Sequence, residues 1–169
     1  MRYFILLFML ILALFGNNLV VTSDNFEYEE SKNRAIFVGN AYAKRGESEI
    51  WANKLIVFLD ENNETKEYQA IGNVRFIIRD NEQNIKGKCD FLRYFPQEDR
   101  YYLKGRVYVN DILKKREMWG DDLYIDNKRR YVKARSLKKG KSVKFIFKMK
   151  DKNQNSKDKK GKNAKKEKK

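Results

Sequence analysis

Three glycines, Gly39, Gly72 and Gly105, recur in this chain at an interval of 33 residues, each inside a run patterned for a β-strand. The runs are Phe37-Val38-Gly39-Asn40-Ala41, Ala70-Ile71-Gly72-Asn73-Val74 and Leu103-Lys104-Gly105-Arg106-Val107. A fixed period constrains architecture before any single residue does, because each repeat must stack on its neighbours to bury its apolar face. A second element alternates with the first: a small residue, an acidic or amide residue, any residue, Leu or Phe, any residue, then an aromatic or β-branched residue. Its copies cover residues 23–28, 52–57, 89–94 and 120–125, with Asp24, Asn53, Asp90 and Asp121 at the matching place. The chain is therefore built from about four copies of a two-strand unit. That predicts a stacked β-structure with an elongated interior.

From Asp24 to Ser136 the hydropathy pattern has period 2, the mark of strands with one buried face. The inward row is expected to hold Trp51, Leu55 and Val57; Val74, Phe76 and Ile78; Leu92; Leu103, Val107 and Val109; and Trp119, Leu123 and Ile125. The connections are rich in Asn, Asp and Glu, which accept left-handed turn conformations and bond their own backbone, so they read as hairpin tips. A glycine inside a strand marks a bend or a close backbone approach. Bends repeated at one level of the stack would curve the sheet into a trough. The recurring Asp and Asn residues read as backbone caps at strand starts, Cys89 as a small residue on the face away from the row, and 143–149 as a last edge strand.

Charge is unevenly placed. Of the net +15, the segment 138–169 carries +12, and the rest of the chain is nearly neutral. A basic folded face for nucleic acid is thus unsupported, and 151–169 reads as a disordered Lys-rich tail. That tail is either a solvated end or a segment attracted to an anionic membrane surface. A single Cys excludes an intrachain disulfide. The absence of His removes the commonest general base and metal ligand. No nucleophile–base pair stands out, so neither an enzyme nor a metal or cofactor is expected. Residues 1–16, Arg2 followed by an apolar run of 13, fit a secretory leader and are shorter than a spanning helix needs. The leader is either cleaved or kept as an anchor. Asn63, in Glu61-Asn62-Asn63-Glu64-Thr65, matches an extended bacterial glycosylation acceptor pattern.

The Gly-Asn-Val-like copies, interleaved with the Ala-Asp-x-Leu-x-Tyr-like copies behind a leader, resemble the OstA-like repeat family of lipopolysaccharide transport proteins. The resemblance covers roughly 20–136, within a domain expected at 20–150. It implies an all-β, twisted antiparallel β-jelly-roll folded into an apolar trough. It also implies a periplasmic bridge carrying lipopolysaccharide from inner to outer membrane, in a Gram-negative bacterium. On that implication the inward row becomes the wall and floor of a lipid path. The partners would be lipid A acyl chains, LptC-like inner-membrane and LptD-like outer-membrane proteins, and further copies stacked head to tail. Three departures stand out: Arg106 follows the third glycine in place of Asn, the first copy has Ala41 where Val is typical, and the Lys-rich tail lies outside the family core. Two alternatives stay open: a membrane-anchored partner of the same fold, and an exported structural or adhesive β-repeat protein.

Overall fold

The structure, a computed structural model, describes residues 19–137 and 140–148. The expected leader and Lys-rich tail lie outside these residues. Among them, ten strands form one antiparallel sheet: β1 (Leu19–Thr22), β2 (Asn25–Glu29), β3 (Arg34–Arg45), β4 (Ser48–Leu59), β5 (Thr65–Arg79), β6 (Asn84–Phe95), β7 (Arg100–Asp111), β8 (Arg116–Asp126), β9 (Tyr131–Arg135) and β10 (Lys144–Phe147). The order is β1-β3-β4-β5-β6-β7-β8-β10, with β2 also on β3 and β9 also on β8. The terminal strands do not pair with each other, so the sheet stays open. The fold is all-β, as the period-2 pattern predicts.

The tips follow from their side chains. At the β4–β5 tip the Asp60 carboxylate accepts from the backbone N–H groups of Asn62 and Glu64, both at 2.9 Å. Asp80 does the same for Glu82 and Gln83 at the β5–β6 tip. These bonds replace ladder bonds that the turning chain gives up. Asn63 stands at the β4–β5 tip in the left-handed region, with φ of 62°.

The long strands are broken at corners that align across the sheet, and the β4–β5 pair has one further shift, between Phe58 and Leu59, near its tip. The register shifts at Gly39-Asn40, Gly72-Asn73 and Gly105-Arg106, where two residues of one strand oppose a single Asn53, Asp90 or Asp121 of the next. These are β-bulges, which bend a strand and increase its twist. Both residues of each pair have positive φ: 73° and 47° at Gly105 and Arg106. Glycine is required at the first place. A Cβ on Gly105 would lie 2.8 Å from Asp90 Cβ, and one on Gly72 would lie 2.7 Å from Asn53 Nδ2.

The second residue of each pair reaches the same acidic or amide side chain. Asn40 Nδ2 donates to Asp24 at 2.9 Å, Asn73 Nδ2 to Asn53 at 3.5 Å, and Arg106 Nε to Asp90 at 2.9 Å. Arg106 is a poor residue for the left-handed region, and there its side chain pairs with Asp90. This corrects the reading of Asn53, Asp90 and Asp121 as caps at strand starts. They lie in mid-strand and fasten a corner, while Asp24 lies between β1 and β2, its N–H donating to Gly39 O.

The aligned corners divide the sheet into two halves whose inner faces meet. Ala43, Phe76 and Val107 from one half share a single apolar core with Leu55, Leu92, Leu103 and Leu123 from the other. The largest fully enclosed side chains are Leu103, Leu123 and Val74. Burial of that size, roughly 1.5–3 kcal/mol for each such aliphatic side chain, holds the two halves together.

Candidate functional site

Direct cross-strand partners share a face of the sheet, so the register assigns every side chain. One inward row crosses one half as Leu55–Ala70–Leu92–Leu103–Leu123, continuing to Ala134 on β9. Another crosses the other half as Val21–Ala43–Ile50–Phe76–Gly87–Val109–Met118–Phe145. Between these rows, nearer the open margin, lies an apolar cavity of about 230 Å³.

Of the residues expected on the inward row, Leu55, Val57, Phe76, Ile78 and Leu92 line this cavity. Val74, Leu103, Val107 and Leu123 are at most 2% exposed and form closed core beneath it. Val109 and Ile125 are partly buried against that core. Gly87 gives Phe76 its place, since the ring fills the space that a Cβ at position 87 would occupy.

Trp51 and Trp119 do not belong to the row. Trp51 pairs with Tyr42 and Arg75, and Trp119 with Tyr108, all on the opposite face of the sheet. Cys89 is misplaced in the other direction. It is 4% exposed in the inner core, opposite Val74, and burial pushes its thiol up to about 12, which leaves it protonated and inert.

The three errors share one cause. On β4, β6 and β8 the inward residues run Ile50, Ala52, then Leu55; Gly87, Cys89, then Leu92; Met118, Gly120, then Leu123. The corner shifts the alternation by one residue, so strict period 2 counted from Leu55 or Leu123 assigns the far half to the wrong face. On β5 and β7 the two-residue bulge preserves parity, and Val74, Phe76, Val107 and Val109 are correctly placed.

Period 2 puts Tyr68 beside Ala70 and Tyr94 beside Leu92 on the inward face, but the expected lipid row omits both, and it omits Tyr101. Tyr68, Tyr94 and Tyr101 cross the cavity as neighbouring rungs, with ring centroids 6.1 and 4.2 Å apart. Burial raises the Tyr94 and Tyr101 hydroxyls above the ordinary tyrosine range, so both stay neutral. The available signal was the shared parity of Tyr101 with Leu103, and of Tyr94 with Leu92. Ile50 and Val21 also line the cavity. On the outer face of the same half, Glu67 is held by Arg93 at 2.5 and 2.8 Å. Desolvation raises its pKa, but hydrogen bonds from Arg93 and Gln69 outweigh that and leave it lowered. Among the described residues no group of three His, Cys, Asp or Glu side chains could hold a metal ion. The site can enclose apolar chains between aromatic and aliphatic walls, with Arg45 and Glu49 as the charged residues of its lining.

The family model for LptA/(LptD N-terminal domain) LPS transport proteins matches residues 20–131. The chain belongs to this family. Its match includes all three glycine corners and the strands that line the cavity. Among solved structures, the chain is similar to LptH of Pseudomonas aeruginosa, described as the LptA homologous periplasmic component of the conserved lipopolysaccharide transport device. The two share 16% sequence identity with a TM-score of 0.66, over 78% of this chain and 96% of that one. At that identity the likeness establishes the fold, a twisted, open antiparallel jelly-roll. No curated protein sequence matches the chain.

Proposed function

We propose that this protein is a periplasmic bridge that binds lipopolysaccharide by its acyl chains and passes it from the inner to the outer membrane. The observation that carries the proposal is the apolar cavity between the half-sheets, lined by Leu55, Val57, Phe76, Ile78 and Leu92 with the tyrosine rungs beside them. Transfer of an acyl chain there is driven by burial, about 0.8 kcal/mol per methylene, so five enclosed methylenes contribute on the order of 4 kcal/mol. No chemical step is required. The remaining members of the predicted row serve as floor or flank, and the two tryptophans take no part.

Head-to-tail stacking of copies, or of LptC-like and LptD-like partners, fits the two ends of the sheet. Phe26 at one end and Val132, Phe145 and Phe147 at the other are inward in register yet half or more exposed. The edge strands β1, β2, β9 and β10 also carry unpaired backbone groups that template further pairing. A neighbour on either end would cover these rings and extend the cavity into a continuous path. Export would rest on the leader at 1–16, and the Lys-rich segment at 151–169 would add attraction to anionic headgroups. Asn63 is exposed at its tip and would be open to glycosylation.

Native mass spectrometry of the protein purified from its envelope tests this reading. Copurified lipopolysaccharide or lipid A is the expected result. A folded, lipid-free protein that also fails to take up added lipopolysaccharide would refute it in favour of an adhesive or scaffold role.

A further inference from the structure

The outer face carries a second constructed surface. Its central row reads Tyr42–Trp51–Arg75–Lys88–Tyr108–Trp119–Lys144 across seven strand positions. The row is internally repeated. Tyr42 packs on Trp51 with centroids 5.5 Å apart and donates its hydroxyl to Glu49 at 2.7 Å. Tyr108 packs on Trp119 at 5.0 Å and donates to Glu117 at 2.9 Å. Two aromatic platforms thus flank two exposed cations, Arg75 and Lys88. Neither cation has a carboxylate partner among the described residues. The Arg75 guanidinium lies 5.7 Å from the Trp51 ring.

The first platform opens on a groove at the corner, of about 450 Å³. That is the size of an ordinary small-ligand cleft, and its lining is mixed, with Ala41, Ala52, Val74 and Cys89 at its base among charged and amide side chains. Trp51 forms one side, Arg75, Lys88 and Arg106 supply positive charge, and Asn53 and Asn73 present carboxamides. Asp90 neutralises Arg106, leaving two uncompensated cations. Asn73 Nδ2 donates to Asn53 Oδ1 at 3.5 Å, which leaves the Asn73 carbonyl oxygen to meet a ligand. At the second platform Lys144 lies over Trp119 at 4.8 Å, closer than Arg75 lies over Trp51.

We infer that this groove binds an anionic saccharide. A sugar ring offers an apolar C–H face for the indole, hydroxyls for the carboxamides, and a phosphate or carboxylate for Arg75 and Lys88. A guanidinium matches such an anion in a two-pronged geometry that an ammonium reinforces as a point charge. An acidic peptide would use the cations but leaves the carboxamides and the indole wall without a purpose. The groove lies on the sheet face opposite the apolar cavity, so this inference stands independently of the acyl-chain reading.

The chain has two tryptophans, and their indole N–H resonances can be followed separately by NMR. Glucose 1-phosphate and trigalacturonate, which carry phosphate and carboxylate respectively, should each shift the Trp51 signal and leave that of Trp119 in place. Maltotriose, the neutral counterpart, should bind at least about tenfold more weakly, and added salt should weaken the anionic sugars. The double variant Arg75→Ala/Lys88→Ala, at two exposed positions, should fold normally and lose at least about tenfold in affinity. If one anionic sugar shifts Trp51 and the other does not, the inference narrows to that anion. Inorganic phosphate binding as tightly as glucose 1-phosphate would reduce the site to an ion contact. Tetraglutamate binding as tightly as trigalacturonate would make it a protein-docking surface. Either result, an absence of any Trp51 shift, or equal binding by the double variant would overturn the inference.

Discussion

Phe76 and Gly87 face each other on the inner rows of β5 and β6, and their fit allows a test in which a single substitution changes sign. Phe76 is 5% exposed, and Phe76→Ala should cost about 3–5 kcal/mol through lost burial and the space left behind. Gly87 has ordinary strand geometry, and a Cβ there would fall 2.7 Å from Phe76 Cε1. Gly87→Ala in the parent should therefore displace the ring into the cavity and cost about 1–3 kcal/mol as overpacking. With the ring removed the clash disappears, and alanine in a strand is better than glycine by roughly 0.5–1 kcal/mol. In the Phe76→Ala background, Gly87→Ala should thus be neutral or stabilising, for a coupling energy of about 1–4 kcal/mol, in the upper part of the range for residues in contact or above it. Urea unfolding of the four proteins with constant m-values measures the cycle. Additivity within about 0.5 kcal/mol would mean that Phe76 does not occupy the space above Gly87, and would remove the end wall of the cavity.

At the corner, Gly105→Val forces a β-branched residue into the left-handed region against Asp90, and should cost at least about 2 kcal/mol by thermal melting. Arg106→Asn should stay within about 1 kcal/mol, because asparagine tolerates that backbone and an exposed ion pair contributes little; a larger loss would mean the ion pair, and not the backbone, fastens the corner. Hydrogen bonds from Arg34 and Lys32 lower Glu29 from 4.5 to about 2, and Glu67 is also lowered on balance. A carboxylate depressed on folding stabilises above its unfolded pKa and loses that contribution as pH falls through the folded value. The melting temperature should therefore drop between about pH 4.5 and pH 2, with a shallower drop in Glu29→Gln. An identical pH profile in that variant would contradict the assignment.

The glycine period made the architecture legible, because Gly39, Gly72 and Gly105 recur where the sheet bends and the polar tips fall between. The inward residues of β5 and β7 were legible too, since a two-residue bulge leaves their alternation intact. What period 2 could not convey is the one-residue phase shift at Asn53, Asp90 and Asp121. It sends Trp51 and Trp119 outward and Cys89 inward. The shift arises from pairing two residues against one, a relation between strands distant in sequence, and no local window contains it. Hydrophobicity misleads further at Trp51 and Trp119, whose large apolar rings serve a polar surface with Arg75 and Lys144 beside them. Arg106 shows the converse. It looks like a broken motif in the sequence, yet it adopts the backbone that asparagine adopts in the other corners and reaches the equivalent partner, Asp90.

The central claim, that lipid runs on the inner face, is tested most directly at two adjacent tyrosines. Tyr101 lines the cavity beside Tyr94, whereas Tyr102 packs on Tyr124 on the opposite face. A photoreactive benzoylphenylalanine at position 101, in protein supplied with lipopolysaccharide, should capture the lipid, and the same group at 102 should not. Equal capture at both positions, or none at 101 in a folded protein, would contradict it.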